Sequence, residues 1–392
     1  MICGLDIGSS KIKVILAKER PLELVAKKEI ESEGVRRGIV IESERVANLL
    51  TTLFRQIQQE TKHKVFEVFT SFNGSHLFSL PSKGLISVSR ADRRISQEDV
   101  QRVIQAAQEV NLSPNKKAFD FTIQNFIVDG ETRVDDPVDL EGLKLEVEIL
   151  SFCGFVPYLE NHKKAILKSG LEILDAIPAP LASAKAVLTE RQKEIGVGVI
   201  DIGAGTTSLA IFEEQNLIHF SVLPIGSSNI TNDIAIALKI DFELAERIKK
   251  EFGACFFRGK DSFFKVETEG DHHFLVSKKT LSRVIGERVN EIFSQINQEL
   301  KKINKVKKLP AGIVLTGGGA KLEGIKELAK EEFQLPVKIG KILKCPDLEN
   351  ELEYSVAWGL VLHGLEEGEA TKKWEKRGVL EKIKNFFRIF IP

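Results

Sequence analysis

Two short stretches of the chain run apolar residues into Asp-Ile-Gly and then into small or hydroxylated residues. The first, CGLDIGSSKIKVILA, begins at Cys3, and the second, VIDIGAGTTSLAIF, begins at Val199. A turn between two strands directs several backbone N–H groups the same way, and small residues let a phosphate approach them closely. Two such turns facing each other would hold a polyphosphate from both sides.

Each stretch also supplies side chains for this chemistry. Asp6 and Asp201 end the first strand of their stretches, and a carboxylate within a sheet is costly unless it is paired or bound to a metal. Two facing carboxylates beside phosphates suit Mg²⁺, which gives up its waters reluctantly. Lys11 and Lys13 share one face of the outgoing strand, where one of them would meet a phosphate. The remaining predicted phosphate-binding residues are Gly8, Ser9, Ser10, Gly203, Gly205, Thr206 and Thr207.

A third candidate element is VLTGGGAKLEG, which begins at Val314 and is typical of a strand, a glycine turn and a helix. Gly317, Gly318 and Gly319 in that turn would carry a base or ribose against the N-terminus of the helix. The chain has no GxxxxGKS/T pattern of a Walker A loop, and GAGTTS does not fit the GxGxxG fingerprint. One Asp-Ile-Gly turn alone is typical of an ordinary hairpin, but two copies and the glycine turn together favour a nucleotide site.

The composition narrows the class of protein. A chain of 392 residues is long enough for more than one domain, and 43% hydrophobic with 29% charged residues fits a soluble globular protein. Lys plus Arg and Asp plus Glu are balanced at 56 each, which argues against nucleic acid as a partner. Four scattered cysteines without a CxxC pair predict free thiols. The sequence shows neither a signal peptide nor an apolar run long enough to span a membrane.

The order of predicted elements suggests an interrupted α/β layer. The first ~80 residues read as β-β-β-α-β, which predicts a mixed sheet with helices. Residues 82–158 break this order with a helix capped by Ser96 and two long strands around an acidic loop, so they form a candidate inserted domain. Strand and helix patterns then resume, and PAPLASAKAVLTERQ predicts one helix before the second Asp-Ile-Gly strand.

The last fourteen residues, VLEKIKNFFRIFIP, form a separate amphipathic element that begins at Val379. At 100° per residue an apolar stripe faces a polar side with Lys384 and Arg388. This pattern predicts an interfacial helix on an anionic membrane surface, and a helix that packs on the protein body is the alternative. The predicted membrane-contacting residues are Val379, Leu380, Ile383, Phe386, Phe387 and Phe390.

Several motifs together resemble one family. The chain resembles the bacterial cell-division protein family FtsA, a branch of the actin, Hsp70 and hexokinase superfamily. The motifs that carry the resemblance are, in chain order, GLDIGSSK, EGVRRGIVIESE, FNGSH, PLASAKAVL, VIDIGAGTTSLAIF and GIVLTGGGAKLEGIKELA. The matches extend from residue 4 to about residue 364. The resemblance implies an actin-like α/β fold of two lobes, ATP with Mg²⁺ in the cleft, and a family-specific inserted subdomain.

The resemblance also implies a division of the chain into subdomains. The expected boundaries are 1–81, 159–190 and 340–365 for subdomain 1A, 82–158 for the inserted subdomain 1C, 191–225 and 305–339 for 2A, 226–304 for 2B, 366–378 for a linker, and 379–392 for the membrane-targeting helix.

Further site residues follow from the same resemblance. Glu246 and Lys249 match the ribose and base contacts of the superfamily, and their spacing places them on one helix face. An ordinary surface ion pair is the alternative for these two residues. Gly226 is also expected at the nucleotide. Ala179 stands where several hydrolytic relatives carry Glu or Gln to orient water, so we expect weak or no ATPase activity.

The expected partners also come from the family. They are the C-terminal peptide of FtsZ, further copies of the chain in actin-like filaments, an anionic membrane surface and later division proteins, all at the cytoplasmic face of the inner membrane at the division septum. Arg288, Gln295 and Lys302 share one face of a long predicted helix, where an acidic peptide would lie. A merely solvated face is the alternative for these three residues.

Two other functions remain open from the sequence. An actin-like cytoplasmic adaptor of type IV pilus assembly would share the fold and an inserted subdomain, but it would not need the amphipathic tail. A small-molecule kinase would need a catalytic Asp and a polar substrate cleft, and Ala179 disfavours it.

Overall fold

The computed structural model describes residues 1–267 and 273–375. Its centre consists of two five-stranded mixed sheets, one in each lobe. The strands of the first sheet, in spatial order, are β11 (Glu172–Pro178), β6 (Glu67–Phe72), β1 (Ile2–Ile7), β2 (Lys11–Lys18) and β3 (Glu23–Glu31). Those of the second sheet are β18 (Val337–Ile339), β17 (Ile313–Thr316), β12 (Val197–Ile202), β13 (Thr207–Glu213) and β14 (Asn216–Leu223).

The two sheets repeat one design. In each, the strand that ends in Asp-Ile-Gly lies at the centre, pairs antiparallel with the strand after its turn and parallel with a neighbour on its other side. Every residue of β1 and β12 is buried, as expected for central strands covered on both faces. Both hairpins predicted from the repeated motif are therefore confirmed. Each copy of the motif forms the central hairpin of one lobe.

Helices cover the sheets and connect the lobes. They are α1 (Ser43–Thr61), α3 (Val156–Lys168), α4 (Ala179–Val187), α5 (Glu190–Ile195), α6 (Ser227–Leu238), α7 (Phe242–Phe252), α8 (Lys278–Lys302), α9 (Ile325–Phe333) and α10 (Ser355–Glu375). Helices α4 and α10 pack so closely at Gly359 that a Cβ there would lie only 1.8 Å from the Ala182 carbonyl oxygen. The contact therefore requires glycine at this position. The short paired strands are β4 (Val35–Arg36) with β5 (Ile39–Val40), and β15 (Phe263–Glu267) with β16 (His273–Ser277).

The inserted unit is a separate small α/β layer. Its four-stranded sheet consists of β7 (Phe78–Ser87), β10 (Lys144–Phe155), β8 (Lys116–Val128) and β9 (Thr132–Val134), with α2 (Gln97–Gln108) on one face. Ser96 caps α2, because its Oγ accepts from the Asp99 N–H at 3.2 Å while the Asp99 carboxylate accepts from the Ser96 N–H. Such a cap stabilises a helix by about 1 kcal/mol.

The inserted unit also touches the second lobe. Gln124 donates to the Leu217 carbonyl at 3.1 Å, and the rings of Phe152 and Phe220 meet edge to face with centroids 5.6 Å apart. The insert therefore bridges the two lobes.

Two elements differ from the sequence prediction. The single helix predicted at residues 178–192 is two helices, because the chain leaves the helix at Leu188 and Thr189 starts α5 through reciprocal hydrogen bonds with Gln192. The closing helix α10 continues to Glu375, inside the segment predicted as a polar linker. That segment is rich in Glu, Ala and Lys, which favour helix although they are polar or small. The predicted tail helix, residues 379–392, lies outside the described residues.

Candidate functional site

A cleft of about 530 Å³ lies between the two central hairpins. Fourteen of the residues predicted from sequence line it, and they come from both hairpins, from the glycine turn after β17 and from α7. They are Asp6, Gly8, Ser9, Ser10, Lys11, Lys13, Asp201, Gly203, Thr206, Glu246, Lys249, Gly317, Gly318 and Gly319. The fold thus brings three sequence-distant motifs to one cavity.

Three predicted residues do not line the cleft. Gly205 packs the second turn against the first, because a Cβ there would lie 2.6 Å from Ser9 Oγ. Gly226 supports the second turn from behind, since a Cβ there would lie 2.5 Å from the Ala204 carbonyl oxygen. Thr207 is fully buried in β13. Gly205 and Gly226 thus allow the second turn to pack closely against its neighbours, and Thr207 begins the strand that follows the turn.

The two turns have matching internal hydrogen bonds. Gly8 N–H donates to the Lys11 carbonyl at 3.1 Å, and Gly203 N–H donates to the Thr206 carbonyl at 2.9 Å. Asn73 joins the lobes across the mouth of the cleft by donating to Thr206 Oγ1 at 3.4 Å. Small residues and hydroxyls from both lobes therefore face a common space, as binding of a polyphosphate requires.

Asp6 and Asp201 lie buried within this cleft, 7% and 9% exposed. Burial raises the pKa of Asp6, although Lys13 opposes this. Burial and the neighbouring Asp6 carboxylate raise the pKa of Asp201 to about 7, against the opposing effects of Lys13, Ser183 and Ser355. The two carboxylates are therefore close enough for the charge of Asp6 to disfavour ionisation of Asp201.

A magnesium ion fits this donor set. Two carboxylates that disfavour each other's ionisation would be stabilised by a divalent cation between them, and Mg²⁺ is commonly held by one or two carboxylates together with waters and phosphates. Among residues 1–267 and 273–375 there is no group of three or more His, Cys, Asp or Glu side chains that would hold a metal by itself. With two carboxylates as ligands, oxygens of water and phosphate would complete the coordination of Mg²⁺.

The triple glycine has a steric cause. Gly317 adopts a φ of +81°, and a Cβ there would lie 2.2 Å from Asp201 Oδ1 and 2.7 Å from the Ile202 carbonyl oxygen. A Cβ at Gly319 would lie 2.3 Å from Ile202 Cγ2, whereas one at Gly318 would meet nothing within 4 Å. Gly317 and Gly319 are thus required by the close approach of the turn to β12, and Gly318 is not.

Glu246 and Lys249 form a buried network on the second lobe. Lys249 Nζ donates to Glu246 Oε2 at 2.6 Å and to Thr231 Oγ1 at 2.8 Å. Burial lowers the pKa of Lys249. Burial opposes the lowering of the Glu246 pKa, but hydrogen bonds from Lys249 and Thr231 outweigh it. Lys249 is only 6% exposed, so the pair is not an ordinary surface ion pair.

The three residues predicted to bind a peptide lie along α8 with acidic neighbours. Arg288 makes a two-pronged ion pair with Asp233 of α6, at 2.5 and 2.9 Å, and contacts Glu291. Gln295 also contacts Glu291, and Lys302 pairs with Glu299 at 2.5 Å. An acidic peptide on this face would compete with these internal carboxylates.

Other cleft residues escaped the sequence reasoning. Glu29 of β3 lies directly opposite Lys13 in the strand pairing, and Tyr354 donates to it at 3.1 Å. No motif in the β3 sequence points to Glu29, and only the register of β2 with β3 brings it to the cleft. The other lining residues missed are Asn73, Ala204, Ser208, Ser227, Lys250, Gly253, Lys321, Leu322, Glu353 and Val356.

Comparison with solved structures agrees with this architecture. The PilM–PilN type IV pilus biogenesis complex contains a chain with a TM-score of 0.66 and 18% identity, and the match covers 93% of this chain and 98% of that chain. MreB5 of Spiroplasma citri bound to ADP gives a TM-score of 0.56 at 14% identity, over 95% and 98% of the two chains. These likenesses show an actin-like α/β fold.

Sequence comparison identifies the family. The family model described as "Cell division protein FtsA" matches residues 198–359, and "SHS2 domain inserted in FTSA" matches residues 74–152, which overlaps the predicted insert. The chain is 34% identical to cell division protein FtsA of Pseudomonas aeruginosa, over 93% of this chain and 89% of that protein. It is 30% identical to cell division protein FtsA of Borreliella burgdorferi, over 99% and 98%. The chain therefore belongs to the FtsA family of actin-like cell-division proteins.

Proposed function

We propose that this cell-division protein binds ATP with Mg²⁺ between its two hairpins, assembles into filaments, and tethers FtsZ to the cytoplasmic face of the inner membrane at the division septum. The observation that carries the proposal is the cleft itself. Two matched turns from duplicated lobes face one cavity, with the buried carboxylates Asp6 and Asp201 beside Lys13.

ATP would use the cleft as follows. The two turns supply backbone N–H groups and hydroxyls for the phosphates, and Lys11 and Lys13 supply positive charge. Glu246 and Lys249 on α7, together with the glycine turn after β17, line the same cleft and would hold the ribose and base. Bound Mg²⁺ would neutralise charge between the phosphates and the carboxylates Asp6 and Asp201. Two solved MreB5 structures with this fold are described as bound to ADP and to AMPPNP.

We expect ATP hydrolysis to be slow. Ala179 lines the cleft at the N-terminus of α4, is 2% exposed, and has no group that could orient a water. Phosphate release by purified protein with ATP and Mg²⁺ is expected to stay far below the roughly 10 s⁻¹ typical of enzymes. A turnover near that rate would contradict the proposed role of ATP as mainly a structural ligand.

Membrane attachment is assigned to the tail. The described part of the chain contains no helix both long and apolar enough to cross a bilayer. The amphipathic pattern of residues 379–392 is the part of the sequence suited to an anionic surface. Attachment through one short helix is reversible, and filament formation would strengthen it by multivalency.

The tail can be tested with liposomes that contain phosphatidylglycerol. Deletion of residues 379–392 is expected to reduce the co-sedimenting fraction to about a tenth or less of the full-length value, because the apolar face is lost. Phe387→Asp should have a similar effect, whereas Asn385→Asp adds the same charge on the opposite face and should retain most of the binding. Undiminished binding of the deletion variant would remove the tail as the anchor.

The FtsZ contact is assigned to the α8 face that carries Arg288, Gln295 and Lys302. Arg288 is a poor first target because its removal also breaks the α6–α8 contact with Asp233. Lys302 is more suitable, since its side chain is 66% exposed and its partner Glu299 lies on the same helix.

The expected result for FtsZ binding is therefore specific to one face. Lys302→Glu should weaken the affinity for an FtsZ C-terminal peptide about threefold, as for an exposed charge pair. Lys301→Glu makes the same charge change at the neighbouring exposed position and should leave the affinity within error. Equal affinities for both variants, measured by fluorescence anisotropy, would exclude this face.

The same preparations, viewed on lipid monolayers, report whether filaments form and whether later division proteins are recruited.

A further inference from the structure

The cleft contains a carboxylate that the proposed ligand does not need. Glu29 lines the cleft and its side chain is 31% exposed. It lies in one row across three strands, since Asp6 pairs in register with Lys13 and Lys13 pairs with Glu29. A negative charge that is paired with Lys11 competes with a triphosphate for that lysine.

Glu29 already has partners. It forms an ion pair with Lys11 and accepts a hydrogen bond from the Tyr354 hydroxyl at 3.1 Å. Lys13 is also engaged, because its Nζ donates to the Glu353 carbonyl at 2.8 Å and lies 5.8 Å from the centre of the Tyr354 ring. Both lysines proposed to bind phosphate are thus held by groups of the chain itself.

The residues that hold these groups adjoin the start of α10. Glu353 contacts Lys13 through its carbonyl, Tyr354 contacts Glu29, and Ser355 hydrogen-bonds to Asp201. Three consecutive residues therefore contact three charged groups of the cleft. Salt bridges from Lys27 to Glu351 and from Lys321 to Glu353 fix the same segment from its two sides.

We propose that Glu29 is an internal competitor for the triphosphate: it neutralises Lys11, and a phosphate that binds Lys11 must displace it. Glu29 is a positioning residue, because it acts through Lys11. This inference rests on the proposed binding of ATP and goes beyond it, since it assigns the residue that sets the affinity. The ligand chemistry concerned is any polyphosphate that reaches the first turn.

The expected effect is a gain of affinity on removing the charge. Glu29→Gln keeps the size of the side chain and an acceptor for Tyr354, and it should tighten binding of ATP with Mg²⁺ about tenfold, measured by isothermal titration calorimetry at one fixed salt concentration. Glu31→Gln is the matched control. Glu31 lies two residues along the same strand, opposite Lys11 and exposed, and it is not among the residues lining the cleft.

A double-mutant cycle tests whether Glu29 acts through Lys11. In a Lys11→Met background the further change Glu29→Gln should alter the affinity less than about threefold, because the charge it competed for is gone. A full tenfold gain in that background, an equal gain from Glu31→Gln, or an unchanged or weaker affinity of Glu29→Gln overturns the inference. Thermal unfolding of every variant verifies that it is folded.

The failure of this inference is distinguishable from failure of the proposed function. If wild-type protein binds ATP but Glu29→Gln does not bind it more tightly, only the role of Glu29 is wrong. If wild-type protein does not bind ATP or inorganic pyrophosphate at all, the proposed nucleotide site is wrong and the inference falls with it.

Discussion

Gly317→Ala is expected to lower the free energy of unfolding by about 3 kcal/mol and to weaken ATP binding more than tenfold. A residue with a Cβ is strained at the left-handed φ of +81° by about 1–2 kcal/mol, and the added methyl would lie 2.2 Å from Asp201 Oδ1. The turn must therefore move away from β12, and it would displace the carboxylate that is proposed to share the metal. Urea unfolding and calorimetry with ATP measure the two effects.

Gly318→Ala provides the matched control for that substitution. It makes the same chemical change one residue later, but its φ is not in the left-handed region and its Cβ would meet no atom within 4 Å. We expect its stability to change by less than about 0.5 kcal/mol and its ATP affinity to stay within about threefold. If Gly317→Ala is as stable as Gly318→Ala, the described packing of the glycine turn against β12 is wrong.

Asp201→Asn is expected to stabilise the nucleotide-free protein and at the same time to abolish its response to Mg²⁺. Burial and the Asp6 carboxylate raise the pKa of Asp201 in the folded state to about 7. A carboxyl whose pKa is raised by folding contributes stability below its unfolded pKa of about 4, and that stability is lost as the pH rises towards 7. At pH 8 the empty wild-type cleft therefore holds an unfavourable charge that asparagine lacks.

The expected pH dependence separates this mechanism from a general effect of substitution. The stabilisation by Asp201→Asn at pH 8 should exceed that at pH 5 by about 2.5 kcal/mol. ATP with Mg²⁺ should raise the midpoint of thermal unfolding of the wild type at pH 8, but Mg²⁺ should add nothing to the effect of ATP on the variant.

Asp139→Asn serves as the control for that pH dependence. It removes an exposed carboxylate in the inserted unit and should show neither effect. A variant Asp201→Asn that is less stable than wild type at pH 8 would contradict the proposed repulsion between the two carboxylates.

The repeated hairpins were predictable because their cause is local. Apolar residues on both sides of Asp-Ile-Gly specify two buried strands with a tight turn. The two copies of this pattern, at Asp6 and at Asp201, indicate that the hairpin is duplicated. The strand order of each sheet was not predictable from those segments, because β1 pairs with β6 and β12 with β17 across long separations in the chain. The resemblance to a family implied a two-lobed actin-like fold, and the structure supplies the strand order.

The residues missed in the site have a common physical reason. Glu29 faces the cleft through cross-strand register, which no short motif encodes. At Gly205 and Gly226, which the sequence predicts at the nucleotide, close contacts with Ser9 and with the Ala204 carbonyl explain why glycine is needed. Composition and spacing indicate which residue types do chemistry, whereas tertiary packing decides which of them reach the ligand.

The most direct test of the central claim is a crystal structure with ATP and Mn²⁺ in place of Mg²⁺, in which anomalous scattering locates the metal. The account predicts the triphosphate between the turns that begin at Gly8 and Gly203. It also predicts the metal between Asp6 and Asp201, within about 5 Å of both carboxylates through bound water. A nucleotide outside this cleft, or a metal remote from both carboxylates, would contradict it.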